Sequence, residues 1–405
     1  MPVYKSRDVP LSEAQTLFTA DVRPLEEAEK LPLADALGRI CAQRILSLVD
    51  APPFTHSAMD GFAFRYDELV DRPGPHPVAG EAYAGHPFEG GVPPRSLVRI
   101  MTGAPLPDGL DTVIPLEAVE VTPEGARFSP AALRPGANVR LQGEEVRAGD
   151  CVMGPGCLIA PEHVGLLASM GLAEVRVLRR LRAGVFSTGD ELVRAGQRPG
   201  PGQRVDSNAP MLAARLRQWG CEVVDLGILP DDEDALTASL SAALPGLDLV
   251  VTTGGVGAGD KDYTAHVFAR LGRLRTLTIA MRPGRPLGFA DTPEGVRLVG
   301  LPGNPVAALM SAQCFILPWL RCKTGATERF DGVFAKAGAK IKSRAGRSEL
   351  VRGTLRREAG ENVFTPWPQQ GSAMMTSVTR CNAVAHLPPE SCGVEPGDTL
   401  FVTLL

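Results

Sequence analysis

The sequence predicts a multidomain protein in which an α/β domain is joined to β-rich and helical parts, and three features point there. The first is length: one hydrophobic core stops growing near ~250–300 residues, so a chain of 405 residues divides. The second is the stretch from about Ala183 to Val251, where short apolar runs alternate with helical periods, as in βαβ units of a parallel sheet. The third is the stretch from Asp50 to about Val146, where Pro and Gly punctuate short apolar runs, as in brief strands between turns.

Taken in order, the elements are these. Ser12 and Gln15 have capping-box spacing and open a helix anchored by Leu17 and Phe18. Ala36, Leu37, Ile40 and Ile45 fall on a helical period and predict a second helix over Leu33 to Leu46. A small β-rich domain follows. Pro161 to Gly171 reads as a helix stopped by glycine. Ala183 to Phe186 is a strand, Asn208 caps a helix through Trp219, and Glu222 to Leu226 is a second strand. A helix from about Asp234 to Leu244 and a third strand, Leu247 to Val251, complete the alternation. Beyond Thr324 the runs near Leu350, Asn362 and Leu400 read as short strands of a β-barrel or sandwich.

Composition removes several function classes. Hydrophobic residues make up 44% and the formal net charge is −4, with Lys and Arg spread along the chain, so no basic stripe suggests nucleic acid. Aromatics, at 5%, are too few for a base-stacking platform. None of the eight cysteines forms a CxxC pair, which argues against zinc and redox motifs. The first residues carry no apolar run, and no stretch reads as the ~18–20 apolar residues of a membrane helix, so the expected location is cytoplasmic.

Candidate chemistry sits in loops after strands, where ligands of parallel sheets bind. Thr252 to Asp260 is Gly-rich and suits either an anion nest or a plain tight turn; it is neither GxGxxG nor a Walker A loop. Ser187, Thr188, Gly189, Asp190 and Glu191 place hydroxyls and carboxylates at a strand end, and Asp231, Asp232, Asp260 and Asp262 add carboxylates at equivalent positions. Arg282 and Arg285 flank a Pro-Gly turn, and guanidinium forks suit a tetrahedral oxyanion. Pro302-Gly303-Asn304 precedes a helix and either presents amides to an anion or simply turns the chain.

Taken together and in order, SAMDGFA, RIMTGAPLP, GANVRLQGEEV, FSTGDEL, LGILPDD, TTGGVGAGDKDY, RPGRP and LPGNPVAA resemble the MoeA family, which includes the homologous E domain of gephyrin. The resemblance runs from the first helix to the C-terminal β segment. It implies four parts: an elongated helical linker domain (1–49 with 147–178), an inserted β-rich domain (50–146), a MogA-like α/β domain with a parallel-rich sheet (179–326), and a C-terminal β-barrel (327–405). It implies a homodimer whose active site lies between subunits. It further implies Mg²⁺-dependent insertion of molybdate into adenylylated molybdopterin with release of AMP, substrate arriving from a MogA-like adenylyltransferase.

Carried over by position, Asp60, Thr102, Glu191, Arg140 and Glu145 match catalytic and polar positions. Ser187, Thr188, Gly189, Asp190, Gly254, Gly255, Asp262, Pro302, Gly303 and Asn304 match the nucleotide and molybdopterin cradle. Arg282, Arg285, Arg352 and Ser372 match the molybdate and phosphate pocket, and Glu191, Asp231, Asp232 and Asp262 the metal site. The sequence departs from the family in carrying Arg282 and Arg285 for lysines, Glu145 for aspartate and Gly257 for serine. A receptor-binding scaffold and a nucleotide-pyrophosphate hydrolase are the competing readings. The absence of a long linker with an extra domain weighs against the first, and SAMDG and MTGAP weigh against the second. Nothing in the residues separates molybdate from tungstate.

Overall fold

The computed structural model describes residues 8–72, 74–129, 133–255, 263–327 and 332–405. They form two compact units. One comprises Lys30–Leu37 and Cys41–Val177; the other comprises the chain up to Glu29, Gly38–Ile40 and Leu178–Leu405. The first helix, α1 (Leu11–Thr19), falls in the larger unit. It begins one residue ahead of Ser12, behind Pro10, and has no side-chain cap, so the expected capping box does not form. Gln15 is used elsewhere, as described below.

In the smaller unit, β1 (Gly61–Phe64), β2 (Val78–Ala82), β3 (Leu97–Ile100) and β4 (Thr112–Pro115) form a sheet in the order β2-β3-β1-β4. Central β1 is buried on both faces. Phe62 and Phe64 pack with Leu97, Ile114 and Phe128, while Ala63 on the opposite face packs with Val98, Ile100 and Val113. The helix expected over Leu33 to Leu46 is absent. Only a 3-10 turn, Leu33–Asp35, forms, and Gly38 takes φ +74, a left-handed conformation that ends helical winding. Backbone partners come instead from outside the segment: Leu33 N donates to Ala173 O (2.8 Å) and Cys41 N to Cys157 O (2.8 Å). Leu33, Ala36, Cys41 and Ile45 still reach the core, against Met153, Leu167 and Val175. The expected helix α2 (Pro161–Ser169) is present, with proline in its first turn and Gly171 at φ +77 beyond it.

In the larger unit the elements run β5 (Arg182–Thr188), α3 (Asn208–Gln218), β6 (Glu222–Leu229), α4 (Glu233–Ala243), β7 (Leu249–Thr253), α5 (Tyr263–Leu271), β8 (Arg273–Thr278), β9 (Pro286–Asp291), β10 (Arg297–Leu301) and α6 (Pro305–Ser311). The sheet order is β6-β5-β7-β10-β9-β8. Four strands are parallel, and β9 and β8 add an antiparallel edge that the alternation did not disclose. Phe186, Leu236, Leu240, Val250, Val267, Phe268 and Leu298 fill the core. Arg297 is buried beside it and holds α1 to the sheet. It pairs with Asp291, donates to Phe18 O (2.6 Å), and lies 5.0 Å and 5.2 Å from the ring centres of Phe18 and Phe289.

The stretch Pro305–Thr324 is continuously helical and reaches a mean hydropathy of 1.2 over 18 residues, which corrects the expectation that no stretch has the length and apolarity of a membrane span. Of that window 67% is buried inside the protein, as in a core helix. It passes through a π turn at Ala312–Ile316, which ends two residues before Pro318. Proline has no N–H for the carbonyl four residues back. That carbonyl, Cys314 O, receives Gln15 Nε2 instead (3.0 Å).

The barrel consists of β11 (Gly332–Ala337), β12 (Ser348–Glu358), β13 (Glu361–Pro366), β14 (Ala383–Leu387) and β15 (Thr399–Leu404). It closes in the order β12-β13-β11-β15-β14-β12. Met281 and Arg282 pair with Ser348 and Glu349 at the start of β12, tying the α/β domain to the barrel.

Gln15→Ala leaves a helix carbonyl short of its donor and should cost about 1–2 kcal/mol, seen as a lower urea midpoint at unchanged slope. An unchanged midpoint would show that water replaces the amide at no cost.

Candidate functional site

In the smaller unit the turn Ser57 to Asp60 leads into β1, and Met101 to Ala104 leaves β3. Backbone bonds clamp the two: Ser57 N to Ala104 O (3.0 Å) and Gly103 N to Ser57 O (2.9 Å). Asp60 and Thr102 meet as a result. One carboxylate oxygen of Asp60 accepts from both the backbone N and the Oγ1 of Thr102, each at 2.7 Å. These two bonds, the backbone one first, hold the Asp60 carboxyl below its ordinary range. Arg140 does not pair with Glu145. The turn Leu141 to Glu144 folds Glu144 back, so that Glu144 accepts from Arg140 Nη1 (3.1 Å) and Leu141 N (2.9 Å). Glu145 is exposed, and its backbone N bonds Ala51 O.

In the larger unit the parallel register aligns Ser187 with Thr253, and Thr253 with Leu301, at the carboxyl ends of β5, β7 and β10. Several predicted residues gather there. Thr188 Oγ1 donates to Asp231. Gly189 has φ +145, and a Cβ on it would lie 2.6 Å from Glu191 Oε2, so glycine alone lets that carboxylate fold in. Neither Asp190 nor Glu191 has a side-chain hydrogen bond or ion pair among the described residues. Asp232 is committed to structure: it caps α4 by accepting from Ala235 N (2.8 Å). Asp231, bonded by Thr188, is not used in that cap. Gly254 N donates to Leu301 O (3.0 Å), and Gly255 at φ +65 leaves room for Thr264 Oγ1, which a Cβ would meet at 2.4 Å. Asp260, Asp262 and Gly257 lie outside the described residues.

Asn208, read as a cap, is a site residue that the sequence reading missed. It is the first residue of α3, and Asp206 caps that helix instead, accepting from Asn208 N (2.9 Å) and Ala209 N (3.2 Å). Asn208 Nδ2 is thereby free to bridge Thr253 Oγ1 (3.1 Å) and Gly303 O (2.8 Å). Its Oδ1 is buried without a partner among the described residues, as are the hydroxyls of Ser187, Thr252 and Thr264. Orphaned polar atoms near the carboxyl ends of β5 and β7, on both faces of the sheet, suit a polar ligand. The available signal was the Asp-Ser-Asn spacing, in which Asp206 already supplies the cap.

The predicted oxyanion residues divide. Arg282 and Arg352 line one cavity of about 280 Å³ with Glu349, Trp367 and Gln370. Arg352 is buried and among the described residues reaches only neutral acceptors: Gly371 O (3.2 Å), Ser377 Oγ (3.3 Å) and Leu350 O (3.4 Å). Burial lowers its pKa from the usual value. Arg285 instead pairs with Asp8 (2.8 Å). Ser372 ties down the Pro302-Gly303-Asn304 turn, its Oγ accepting from Asn304 Nδ2 (3.1 Å) and its O from Val306 N (3.0 Å).

Among the described residues no three His, Cys, Asp or Glu side chains converge as a ready metal centre. Mg²⁺ keeps most of its waters and takes one or two carboxylates, so a donor set of Glu191 and Asp231 fits it.

Comparison with known proteins matches most of the chain to one family. Residues 9–171 match the MoeA N-terminal region (domain I and II), 184–322 a probable molybdopterin binding domain, and 335–405 the MoeA C-terminal region (domain IV). The chain is 37% identical over 379 residues to a molybdopterin molybdenumtransferase of Haemophilus influenzae, covering 93% of each chain. It is 31% identical to that of Bacillus subtilis, covering 94% of this chain and 90% of the other. A crystal structure of the molybdopterin biosynthesis MoeA protein of Pyrococcus horikoshii superposes with a TM-score of 0.86 at 27% identity, covering 98% of this chain and 100% of that one.

A depressed carboxyl pKa favours the folded state above the unfolded value of ~3.9 and ceases to do so as pH falls through the folded value. Thr102→Val removes one of the two bonds that depress Asp60. The Asp60 midpoint, followed by carboxyl-carbon NMR, should therefore rise toward the ordinary value. An unmoved midpoint would show that the backbone bond acts alone.

Proposed function

The chain belongs to the MoeA family, and on that premise we propose that it is a molybdopterin molybdenumtransferase that inserts molybdate into adenylylated molybdopterin with release of AMP. The observation that carries this reading is Arg352. A buried guanidinium that meets only neutral acceptors and shares its cavity with Arg282 is short of an anion, and molybdate is a dianion of suitable size. The nucleotide end of the substrate belongs at the carboxyl edge of the sheet, where Gly254, Gly255 and Gly303 allow close backbone approach and Asn208 offers an unused acceptor.

Glu191 and Asp231 would hold Mg²⁺, which would supply charge compensation at the phosphoanhydride. Thr188 fixes Asp231 by its hydroxyl bond, and the fold of Gly189 sets Glu191. Arg352 and Arg282 bind and orient the oxyanion. Asp60, kept ionised and aimed by Thr102, acts as a fixed carboxylate that holds or accepts a proton at its free oxygen. The working enzyme is a homodimer, which light scattering of the purified protein tests, and a MogA-like adenylyltransferase is the class of partner that makes its substrate.

The test is turnover with purified protein, adenylylated molybdopterin, Mg²⁺ and molybdate, following AMP and active cofactor together. Molybdate-dependent formation of both is expected; AMP release indifferent to molybdate would replace this reading with a hydrolase. Asp60→Asn and Glu191→Gln should each lower kcat by about 10²-fold with the fold intact, the usual scale for a positioned acid–base or charge-stabilising group. Asn208→Ala should raise KM for the adenylylated substrate about tenfold, the loss of roughly one charge-free hydrogen bond and its bridge. Wild-type kinetics in these variants would remove the residues from the mechanism.

A further inference from the structure

We propose that the barrel carries a basic groove that collects free molybdate and passes it to Arg352. This deepens the transferase reading and rests on it. Two adjoining cavities, of about 280 and 820 Å³, share Arg282, Lys340, Lys342 and Glu349. Only the smaller includes Arg352; the larger adds Arg344 and Arg347. Together they set six basic side chains against two carboxylates, Glu349 and Glu395, in a chain whose formal net charge is −4.

The pairing within the groove leaves positive charge unspent. Glu395 is taken by Lys340, and Glu349 is shared by Arg347 (3.2 Å) and Arg282 (3.9 Å). Lys342 and Arg344 are exposed and form no ion pair among the described residues. Lys342 is held in place by the short pairing of Ile341–Lys342 with Gly393–Val394. Two uncharged groups are also unused: Ser343 Oγ in the larger cavity and Trp367 Nε1 in the smaller are buried without partners among the described residues. An indole N–H can only donate. The groove thus offers cations and donors in excess of its two carboxylates, and a small oxyanion supplies the further acceptor. A concave surface of one sign also focuses the field and raises the local concentration of counter-ions.

Two anions share this chemistry, free molybdate and the phosphate of the pterin substrate, and kinetics separates them. In Lys342→Gln/Arg344→Gln, kcat/KM for molybdate should fall about tenfold at low ionic strength, with kcat and the KM for adenylylated molybdopterin unchanged. The deficit should shrink at ~0.5 M salt, where charges are screened within a few ångströms, and Lys342→Arg/Arg344→Lys should behave as wild type. A deficit in the pterin arm alone would overturn the assignment to free molybdate. Equal kinetics in both arms would overturn the groove. Calorimetric titration with molybdate alone keeps the proposal separate from the transferase reading. Weaker binding by the double variant in a protein that does not turn over would support the groove and sink the reading, whereas no binding by the wild type would sink both.

Discussion

The parallel register of β5, β7 and β10 is the constraint on which the rest depends. It brings Ser187, Thr253 and Leu301 level, so that the loops beyond them leave the sheet at one edge. Each of these strands is buried almost throughout, and a slip of one residue would move a whole set of apolar side chains to the wrong face. The core of Phe186, Val250, Val267 and Leu298 therefore fixes where the chemistry-bearing loops begin. Cross-ties then fix where they end. Gly254 bonds Leu301, and Asn208 joins Thr253 to Gly303.

Charge is arranged on the same scaffold with opposite signs at different stations. At the sheet edge, unpaired carboxylates and orphaned hydroxyls suit a hydrated cation and a polyphosphate. In the barrel, the closed ring of strands buries a guanidinium, and leaving it with neutral acceptors alone is costly unless an anion completes it. Pairing of Met281 and Arg282 with the start of β12 carries the Arg282 turn to that cavity. Arg285, three residues on, is drawn to Asp8 instead. Two arginines on one turn thus come to serve different ends.

Much of this was legible in the sequence because it depends on local chemistry. Alternating apolar runs marked the α/β domain, Pro and Gly punctuation marked the β-rich segment, and the motifs singled out Asp60, Thr102, Glu191, Asp231 and Arg282 as candidates, Arg352 being named only by the family resemblance. What escaped depended on competition between partners. Helical spacing over Leu33 to Leu46 was real, yet Gly38 and the carbonyls of Ala173 and Cys157 offered the backbone a different set of bonds. Gln15 had capping-box spacing, yet Pro318, some three hundred residues away, left a carbonyl to which its amide donates.

The sequence by itself determined the element types, the glycines at turns and the inventory of charged side chains, because spacing and backbone preference are properties of neighbours in the chain. Only the tertiary structure decided which member of each near-equivalent pair takes which bond: Glu144 over Glu145 for Arg140, Asp232 over Asp231 as the cap of α4, Asp206 over Asn208 as acceptor for the first N–H groups of α3. Adjacent residues of one type are chemically interchangeable until the fold points one of them at a partner, and that direction is set by backbone geometry and by contacts hundreds of residues apart.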